Sequence, residues 1–167
     1  KALYALGESE AKYKTVVDNA HDGIVVIMDE MPLYANKSMI AMLGYEEKEF
    51  YRHHFLDFFP DTPTGKKMVH RIYLDRMDGN KAPSRYETQM ITSVGEIIDV
   101  MISASGSTIN EKRCSICIIT DISDQKKSHR TIVDQIEKIS SQYRELEALN
   151  IKIREVNREV FAEKDQL

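Results

Sequence analysis

The chain has 167 residues, of which 42% are hydrophobic and 30% charged, and it contains no Trp. Its net charge is −4, and because residues 124–167 carry nine basic and nine acidic side chains, this charge lies entirely in residues 1–123. The balance gives no reason to expect nucleic acid or an acidic membrane surface as a partner. No apolar run approaches the roughly 20 residues of a membrane-spanning helix and no signal-peptide pattern is present, so we expect a cytoplasmic protein.

The N-terminal part of the chain predicts one helix followed by two short strands. Apolar residues at three- and four-residue steps indicate a helix over Ser9–Ala20. A β-branched apolar run predicts a buried strand over Ile24–Met28, and Asp29-Glu30 then forms a turn. The second strand, Met31–Ala35, contains a proline, which places it at or near a sheet edge.

Two helices are predicted between the second and third strands. Asn36 is a favourable N-cap for a short helix, and Gly44 stands where a left-handed C-cap residue is expected. Thr64 could cap a longer helix over Gly65–Met77, which Asp78-Gly79-Asn80 ends.

Three further strands follow in sequence, over Ser84–Ile91, Ile97–Thr108 and Arg113–Ile119. Two strands, several helices and three consecutive antiparallel strands predict a one-sheet α+β domain. The last strand contains Cys114 and Cys117 in a C-x-x-C arrangement. Residues three apart in a strand point to opposite faces, so we interpret them as two small core residues rather than a redox or metal pair.

Residues 124–167 contain no Gly or Pro and predict one long coiled-coil helix. Apolar residues recur every seven positions from Ile132 to Leu167, which we assign to heptad position d. We expect a parallel homodimer in which Asn150 and Asn157, at position a, face their counterparts. The predicted dimer seam comprises Ile132, Ile136, Ile139, Tyr143, Leu146, Asn150, Ile153, Asn157 and Val160. The alternative is a solvated face for the Asn residues, with Leu149 and Val156 at position g taking over the seam.

Several short motifs in fixed order resemble a PAS domain. They are Asp22-Gly23-Ile24, Tyr34-Ala35-Asn36, Met42-Leu43-Gly44-Tyr45, Arg76 with Gly79 and Pro83-Ser84-Arg85-Tyr86-Glu87, and Thr120-Asp121-Ile122-Ser123. The resemblance implies a five-stranded antiparallel sheet with helices on one face, enclosing a small cavity. It also implies that the junction Thr120, Asp121, Ile122 and Ser123 couples the sheet to the output helix. We therefore divide the chain into an N-terminal helix or linker (1–20), a PAS domain (21–123) and a signalling coiled-coil helix (124–167).

Apolar residues on the expected inner faces predict the lining of the cavity, and several of them are methionines. The chain has eight methionines, whose soft side chains suit either an adaptable ligand pocket or a simple core. The sequence leaves open which set of alternate residues in the first strand faces the cavity. The predicted lining includes Ile24, Val26, Met39, Met42, Met68, Ile72, Tyr86, Met90 and Ile102.

The sequence contains no catalytic constellation and no recognisable metal site, and it requires no cofactor. His129 lacks the acidic neighbour of a histidine-kinase phosphoacceptor, because Arg130 follows it. His53 and His54 are adjacent and expected to face solvent. His70 approximately matches the helix position from which haem-binding PAS domains ligate iron, so a haem-based gas or redox sensor is one hypothesis.

The end of the chain resembles the approach to a GGDEF diguanylate cyclase domain. Asp165-Gln166-Leu167 matches the Asp-x-Leu start of its first motif. The chain starts at Lys1 and stops within a heptad, so we expect it to be a regulatory piece of a larger protein whose output is cyclic-di-GMP synthesis. Three hypotheses stand: a small-molecule sensor module for such a cyclase, a haem sensor centred on His70, and a ligand-free dimerisation module of a histidine kinase.

Overall fold

The computed structural model describes residues 14–164, with side chains through Arg158. These residues form two compact units that meet at the bond between Ser123 and Asp124. The start of the predicted Ser9–Ala20 helix lies outside the described residues, and residues 14–18 are helical. Asp165-Gln166-Leu167 and the side chain of Val160 also lie outside them.

The first unit is built on one sheet of five strands, all paired antiparallel. In chain order the strands are β1 (Gly23–Met28), β2 (Met31–Ala35), β3 (Arg85–Ile91), β4 (Ile97–Ile109) and β5 (Lys112–Asp121). Their spatial order is β2-β1-β5-β4-β3. The Pro-bearing strand β2 therefore lies at an edge, and the predicted five-stranded antiparallel sheet is confirmed.

Helical segments connect β2 to β3 and supply the other wall of the core. They are α1 (Lys37–Leu43), α2 (Glu47–Phe50), a 3₁₀ turn (Phe55–Phe58) and α3 (Met68–Met77). Buried residues from these segments and from the inner face of the sheet form a single hydrophobic cluster. The functional interior of the domain therefore lies between the sheet and α1–α3.

Local capping chemistry fixes α1, as the sequence predicts. The side-chain Oδ1 of Asn36 accepts from the backbone N–H of Met39 at 2.9 Å, and Gly44 closes the helix with φ of 71°. Asn36 is fully buried, and its amide also donates to the carbonyls of Val17 and Asp22. One side chain thus joins α1 to β1 and to the segment that precedes it.

The predicted helix over Gly65–Met77 is wrong at its start. Pro63–Lys67 forms a wide helical turn that is kinked at Gly65, and the regular helix begins at Met68. Gly65 is buried, and a Cβ atom there would lie only 2.1 Å from the carbonyl oxygen of Pro60. The glycine therefore permits a close backbone crossing that a regular helix could not accommodate.

The second unit is the single helix α4 (Ser123–Lys164), 42 residues without a break. At 1.5 Å per residue it is about 63 Å long. The predicted uninterrupted helix is confirmed. Among the described residues, no helix is both long and apolar enough to span a membrane.

Candidate functional site: an interior cavity and the start of the long helix

The first unit encloses a cavity of about 40 Å³ between the sheet and the helices. A single water needs roughly 10–15 Å³ by this measure, so the space suits about three waters or one very small molecule. Its wall contains residues from β1, β3, β4 and β5 and from α1, α2, the 3₁₀ turn and α3. The lining consists of Val25, Ile27, Met39, Phe50, Phe55, Phe58, Phe59, Val69, Tyr73, Arg76, Tyr86, Met90, Ile102, Ser115, Cys117 and Ile119.

Aromatic rings form the largest part of this wall. Phe50 and Phe58 stack with ring centroids 4.7 Å apart and planes 11° from parallel, and Phe55 contacts Tyr73 at the same centroid distance. These rings are buried and lock one another in place. The helical side of the cavity is therefore apolar and stiff.

Polar side chains also belong to the wall, although almost all of the surface that faces the cavity is apolar. The Ser115 hydroxyl lies 3.5 Å from the Cys117 thiol. Burial raises the pKa of the Tyr86 phenol, and the nearby positive charge of Arg76 opposes this shift. Burial also raises the pKa of the Cys117 thiol, which keeps it protonated rather than nucleophilic. Of the polar residues in the wall, Arg76 is therefore the charged one, and the others are neutral hydroxyl and thiol groups.

Arg76 is the charged member of this set, and its side chain is held in a defined position. The residue is only 8% exposed, and its Nη2 donates to the carbonyl of Pro83 at 2.7 Å. The side chain packs beside Gly106 on β4, where a Cβ would stand 3.4 Å from Cγ of Arg76, in ordinary van der Waals contact. The guanidinium is therefore placed by both the loop before β3 and the surface of β4.

The structure places four of the nine predicted pocket residues in the cavity wall. Met39, Tyr86, Met90 and Ile102 line it, as their strand and helix positions predicted. The other five do not line it. They are Ile24, Val26, Met42, Met68 and Ile72.

The five departures have two physical causes. In β1 the inward residues are Val25 and Ile27, so the parity assumed for Ile24 and Val26 is wrong. In α3 the cavity is lined by Val69, Tyr73 and Arg76, whereas Ile72 is buried on the same face of the helix without reaching the cavity and Met68 is half-buried. Met42 packs partly buried against the core from α1.

Sequence reasoning missed the aromatic wall and the buried arginine. Phe55, Phe58 and Phe59 lie in a segment too short to show helical periodicity, although three phenylalanines in five residues are a signal of a core segment. Arg76 was noted only as part of a motif. Its burial follows from tertiary packing against Gly106 and Pro83, which no periodic pattern reveals.

The two predicted core cysteines do lie in the interior, and both are free thiols. Cys114 is fully buried and Cys117 lines the cavity. No group of three or more metal-ligating side chains with suitable geometry occurs between residues 14 and 158.

His70 contacts a carboxylate instead of the cavity. Its Nε2 lies 2.9 Å from Oε1 of Glu30, whose other oxygen lies 3.2 Å from Nε2 of His54. These hydrogen bonds lower the pKa of Glu30. Because His70 is absent from the cavity wall and the cavity is far smaller than a porphyrin, the residues present do not fit a haem bound by His70.

Glu30 itself occupies an unusual backbone conformation in the β1–β2 turn. Asp29 and Glu30 have φ of 51° and 62°, which is typical of a type I′ hairpin but unfavourable for a Glu. The Tyr73 hydroxyl accepts from the Glu30 N–H at 3.2 Å, and the Phe55 N–H donates to the Glu30 carbonyl at 3.1 Å. The turn is thus fastened to the helical wall of the cavity.

The junction between β5 and α4 is tied to the start of β4 by a short hydrogen-bond network. Ile122, which is buried, donates to the carbonyl of Asp99 at 2.9 Å, and the Ser123 hydroxyl accepts from the Asp99 N–H at 3.0 Å. Asp121 Oδ1 accepts from the Ser123 N–H at 2.8 Å and so caps the helix. Thr120 pairs with Met101 in the sheet. All four predicted junction residues therefore lie where strand becomes helix.

Apolar side chains along α4 are exposed in the single chain. The exposed fraction at the d positions ranges from 49 to 55% for Ile132, Ile139, Leu146 and Ile153. The a-position residues Ile136 and Tyr143 are exposed as well, and so are Leu149 and Val156 at g. Asn150 and Asn157 are also exposed.

The first unit is thus a single-sheet α+β domain with an interior cavity, and an uninterrupted helix follows it in the chain. The PAS domain family matches residues 21–124 of the chain. The chain therefore belongs to the PAS domain family, and the resemblance deduced from its motifs is confirmed. No curated protein sequence shows significant similarity to it.

Solved structures of PAS domains share this fold at low sequence identity. A PAS domain from a two-component sensor histidine kinase is 20% identical, with a TM-score of 0.56 over 69% of this chain and 98% of the other. The PAS domain of an HTR-like protein from Haloarcula marismortui is 18% identical, with a TM-score of 0.60 over 72% and 98% of the two chains. The PAS domain of a LuxR-family transcriptional regulator from Burkholderia thailandensis, solved in complex with ethanol, is 17% identical, with a TM-score of 0.53 over 66% and 97%.

Proposed function

We propose that this PAS module senses a small molecule in its interior cavity and transmits the bound state through a parallel, dimeric α4 to a C-terminal output domain. The observation that carries the proposal is the interior cavity with an apolar, largely aromatic wall. Pockets lined mainly by apolar and aromatic side chains are typical of ligand sites. A related PAS fold that was solved with ethanol supports a ligand of small size.

The route out of the cavity runs along β4 and β5. Ile102 on β4 and Ile119 on β5 line the cavity and are direct cross-strand partners. Asp99, three residues before Ile102, is hydrogen-bonded to Ile122 and Ser123. A shift of these strands on ligand binding therefore acts directly on the first residue of α4.

A second copy of the chain is the partner that fits α4. Apolar residues at heptad spacing, each about half exposed in one chain, would be covered by the same stripe of another copy. The polar Asn150 and Asn157 favour one register in a parallel pair, because the amides can then bond across the axis. In an antiparallel pair each amide would generally meet an apolar side chain and stay unsatisfied.

For the output we favour a diguanylate cyclase, on the basis of Asp165-Gln166-Leu167 at the end of the helix. A symmetric cyclase needs two active sites side by side, which parallel helices deliver. The second candidate is a histidine kinase, because PAS domains of several sensor histidine kinases have the same fold. Both outputs use the same sensor and the same helix.

The test measures cyclic-di-GMP formation from GTP and Mg²⁺ by the parent protein that extends beyond Leu167. Ser123→Ala removes the hydroxyl that accepts from the Asp99 N–H, so it should uncouple the output from the PAS domain and alter the basal rate. Ser140→Ala, at an exposed position of α4, is the matched control and should leave the rate unchanged. Absence of cyclic-di-GMP synthesis would eliminate the cyclase, and equal rates for both variants would contradict the junction's role.

A further inference from the structure

The surface that faces the interior cavity is almost entirely apolar, although several residues of its wall carry polar groups. Polar atoms of these residues are engaged within the protein. Nη2 of Arg76 donates to the carbonyl of Pro83 at 2.7 Å, and the Tyr73 hydroxyl accepts from a backbone N–H of the β1–β2 turn at 3.2 Å. The Ser115 hydroxyl lies 3.5 Å from Sγ of Cys117. A ligand in the cavity therefore meets an apolar surface rather than hydrogen-bonding groups.

This apolar surface disfavours a polar ligand. A water molecule in a protein interior typically makes about three hydrogen bonds to polar groups around it. A hydroxyl, amide or carboxylate that moves from water to a surface without such partners loses its hydration and gains nothing in return. The cavity therefore selects against polar and charged molecules that would otherwise fit it.

Polarisable side chains attract an apolar ligand instead. Half of the wall residues are aromatic or methionine, namely Phe50, Phe55, Phe58, Phe59, Tyr73, Tyr86, Met39 and Met90. Rings and thioether sulfur atoms are polarisable, and the sum of many close contacts makes dispersion attraction large. Because Phe50 and Phe58 are buried and stack on each other, this side of the cavity is held in place before a ligand arrives.

The volume of the cavity limits the size of the ligand. About 40 Å³ is the space of about three water molecules. We propose that the cavity binds an uncharged, apolar molecule of very few non-hydrogen atoms, such as a dissolved gas or a two-carbon hydrocarbon. This assignment rests on the proposed function and names the ligand class of the same cavity. Recognition then depends on shape and dispersion rather than on hydrogen bonds.

Methionine methyl groups can report the binding, because some lie in the cavity wall and others outside it. The full chain, isotopically labelled in these methyl groups, is titrated with dissolved xenon, ethane and ethanol and followed by NMR. We expect xenon and ethane to shift the signals of Met39 and Met90 saturably and to leave those of Met31 and Met101 unchanged. Ethanol adds a hydroxyl to ethane and should bind about tenfold more weakly, because that hydroxyl finds no partner.

Matched valine variants assign the binding to this cavity. Val25 lines it, whereas Val26, the next residue of β1, lies on the other face of the strand. Val25→Ile adds a methylene group to the cavity and should weaken xenon and ethane binding about fivefold or more. Val26→Ile makes the same change outside the cavity and should bind both as the wild type does. If Val25→Ile does not fold, Val69→Ile on α3 takes its place, since Val69 also lines the cavity.

Three results would overturn the apolar assignment. They are equal shifts of the methionine signals inside and outside the wall, undiminished xenon and ethane affinity in the cavity variant, and ethanol binding as tight as ethane binding or tighter. In the last case the cavity would still hold a small molecule, so the proposed sensing function would stand. If xenon, ethane and ethanol all fail to shift Met39 and Met90, both the apolar ligand and sensing through this cavity are rejected.

Discussion

The burial of Asn36 makes it the most sensitive polar position in the PAS unit. Its Oδ1 accepts from the N–H groups of Ile24 and Met39 at 2.8 and 2.9 Å, and its amide donates to Val17 and Asp22 at 2.9 and 3.0 Å. Asn36→Ala removes all four hydrogen bonds at once. Because the site is fully buried, water cannot replace them without rearrangement.

The expected loss follows from these contacts. The missing cap of α1 costs about 1 kcal/mol. The orphaned Ile24 N–H adds roughly 1–3 kcal/mol, and the two carbonyls lose a donor in addition. We therefore expect Asn36→Ala to lower the free energy of unfolding by about 3 kcal/mol and Tm by about 15 °C. That is a large share of the 5–15 kcal/mol typical of a domain.

Near-ultraviolet circular dichroism in urea is the suitable assay, because the chain has no Trp and most of its Tyr and Phe residues lie in the PAS unit, whereas α4 contains only Tyr143 and Phe161. Asn19→Ala is the matched control, since Asn19 makes one exposed hydrogen bond to the Thr15 carbonyl. It should change the free energy of unfolding by less than about 0.5 kcal/mol. A change below about 1 kcal/mol in Asn36→Ala would refute the argument that this side chain joins α1 to β1.

Two other predictions concern the β1–β2 turn and α4. Because the pKa of Glu30 is lowered from 4.5 by its histidine partners, its contribution to stability is present above pH 4.5 and is lost as the pH falls through the folded-state value. Urea titrations should therefore show Glu30→Gln less stable than wild type at pH 6 and equal to it at acid pH. A difference in the free energy of unfolding that persists at acid pH would contradict this. Glu47→Gln is the control at an exposed position. Replacing Asn150 and Asn157 by Val should raise Tm while the oligomeric state becomes less uniform on sedimentation, whereas an unchanged Tm and an unchanged dimer would mean that neither Asn lies in the seam.

Local chemistry made much of the fold predictable. The cap at Asn36, the left-handed Gly44 and the unbroken helix after Ser123 all follow from short-range rules, and the structure has each of them. Alternation in β4 also gave the correct inner face, with Val100 and Ile102 buried. These features depend on residues that are close together in the chain.

The cavity was less predictable because its wall depends on contacts between distant residues. The parity of β1 is set by its pairing with β5, where Val25 lies opposite Cys117, and an all-apolar strand leaves that choice open. The start of α3 is set by the crossing of Gly65 over Pro60. The burial of Arg76 depends on packing beside Gly106, thirty residues further along the chain.

Disulfide cross-linking along α4 tests the central proposal, a parallel pair of helices that carries the state of the PAS unit. Leu146→Cys places a thiol at a d position, where parallel helices bring identical residues together, and Ala148→Cys places one on the outer face at f. The wild type, whose Cys114 and Cys117 lie inside the domain, gives the background. We predict rapid covalent dimer formation by Leu146→Cys and slow formation by Ala148→Cys under the same mild oxidation. Equal rates for the two variants, at the wild-type background, would contradict the parallel dimer and the relay built on it.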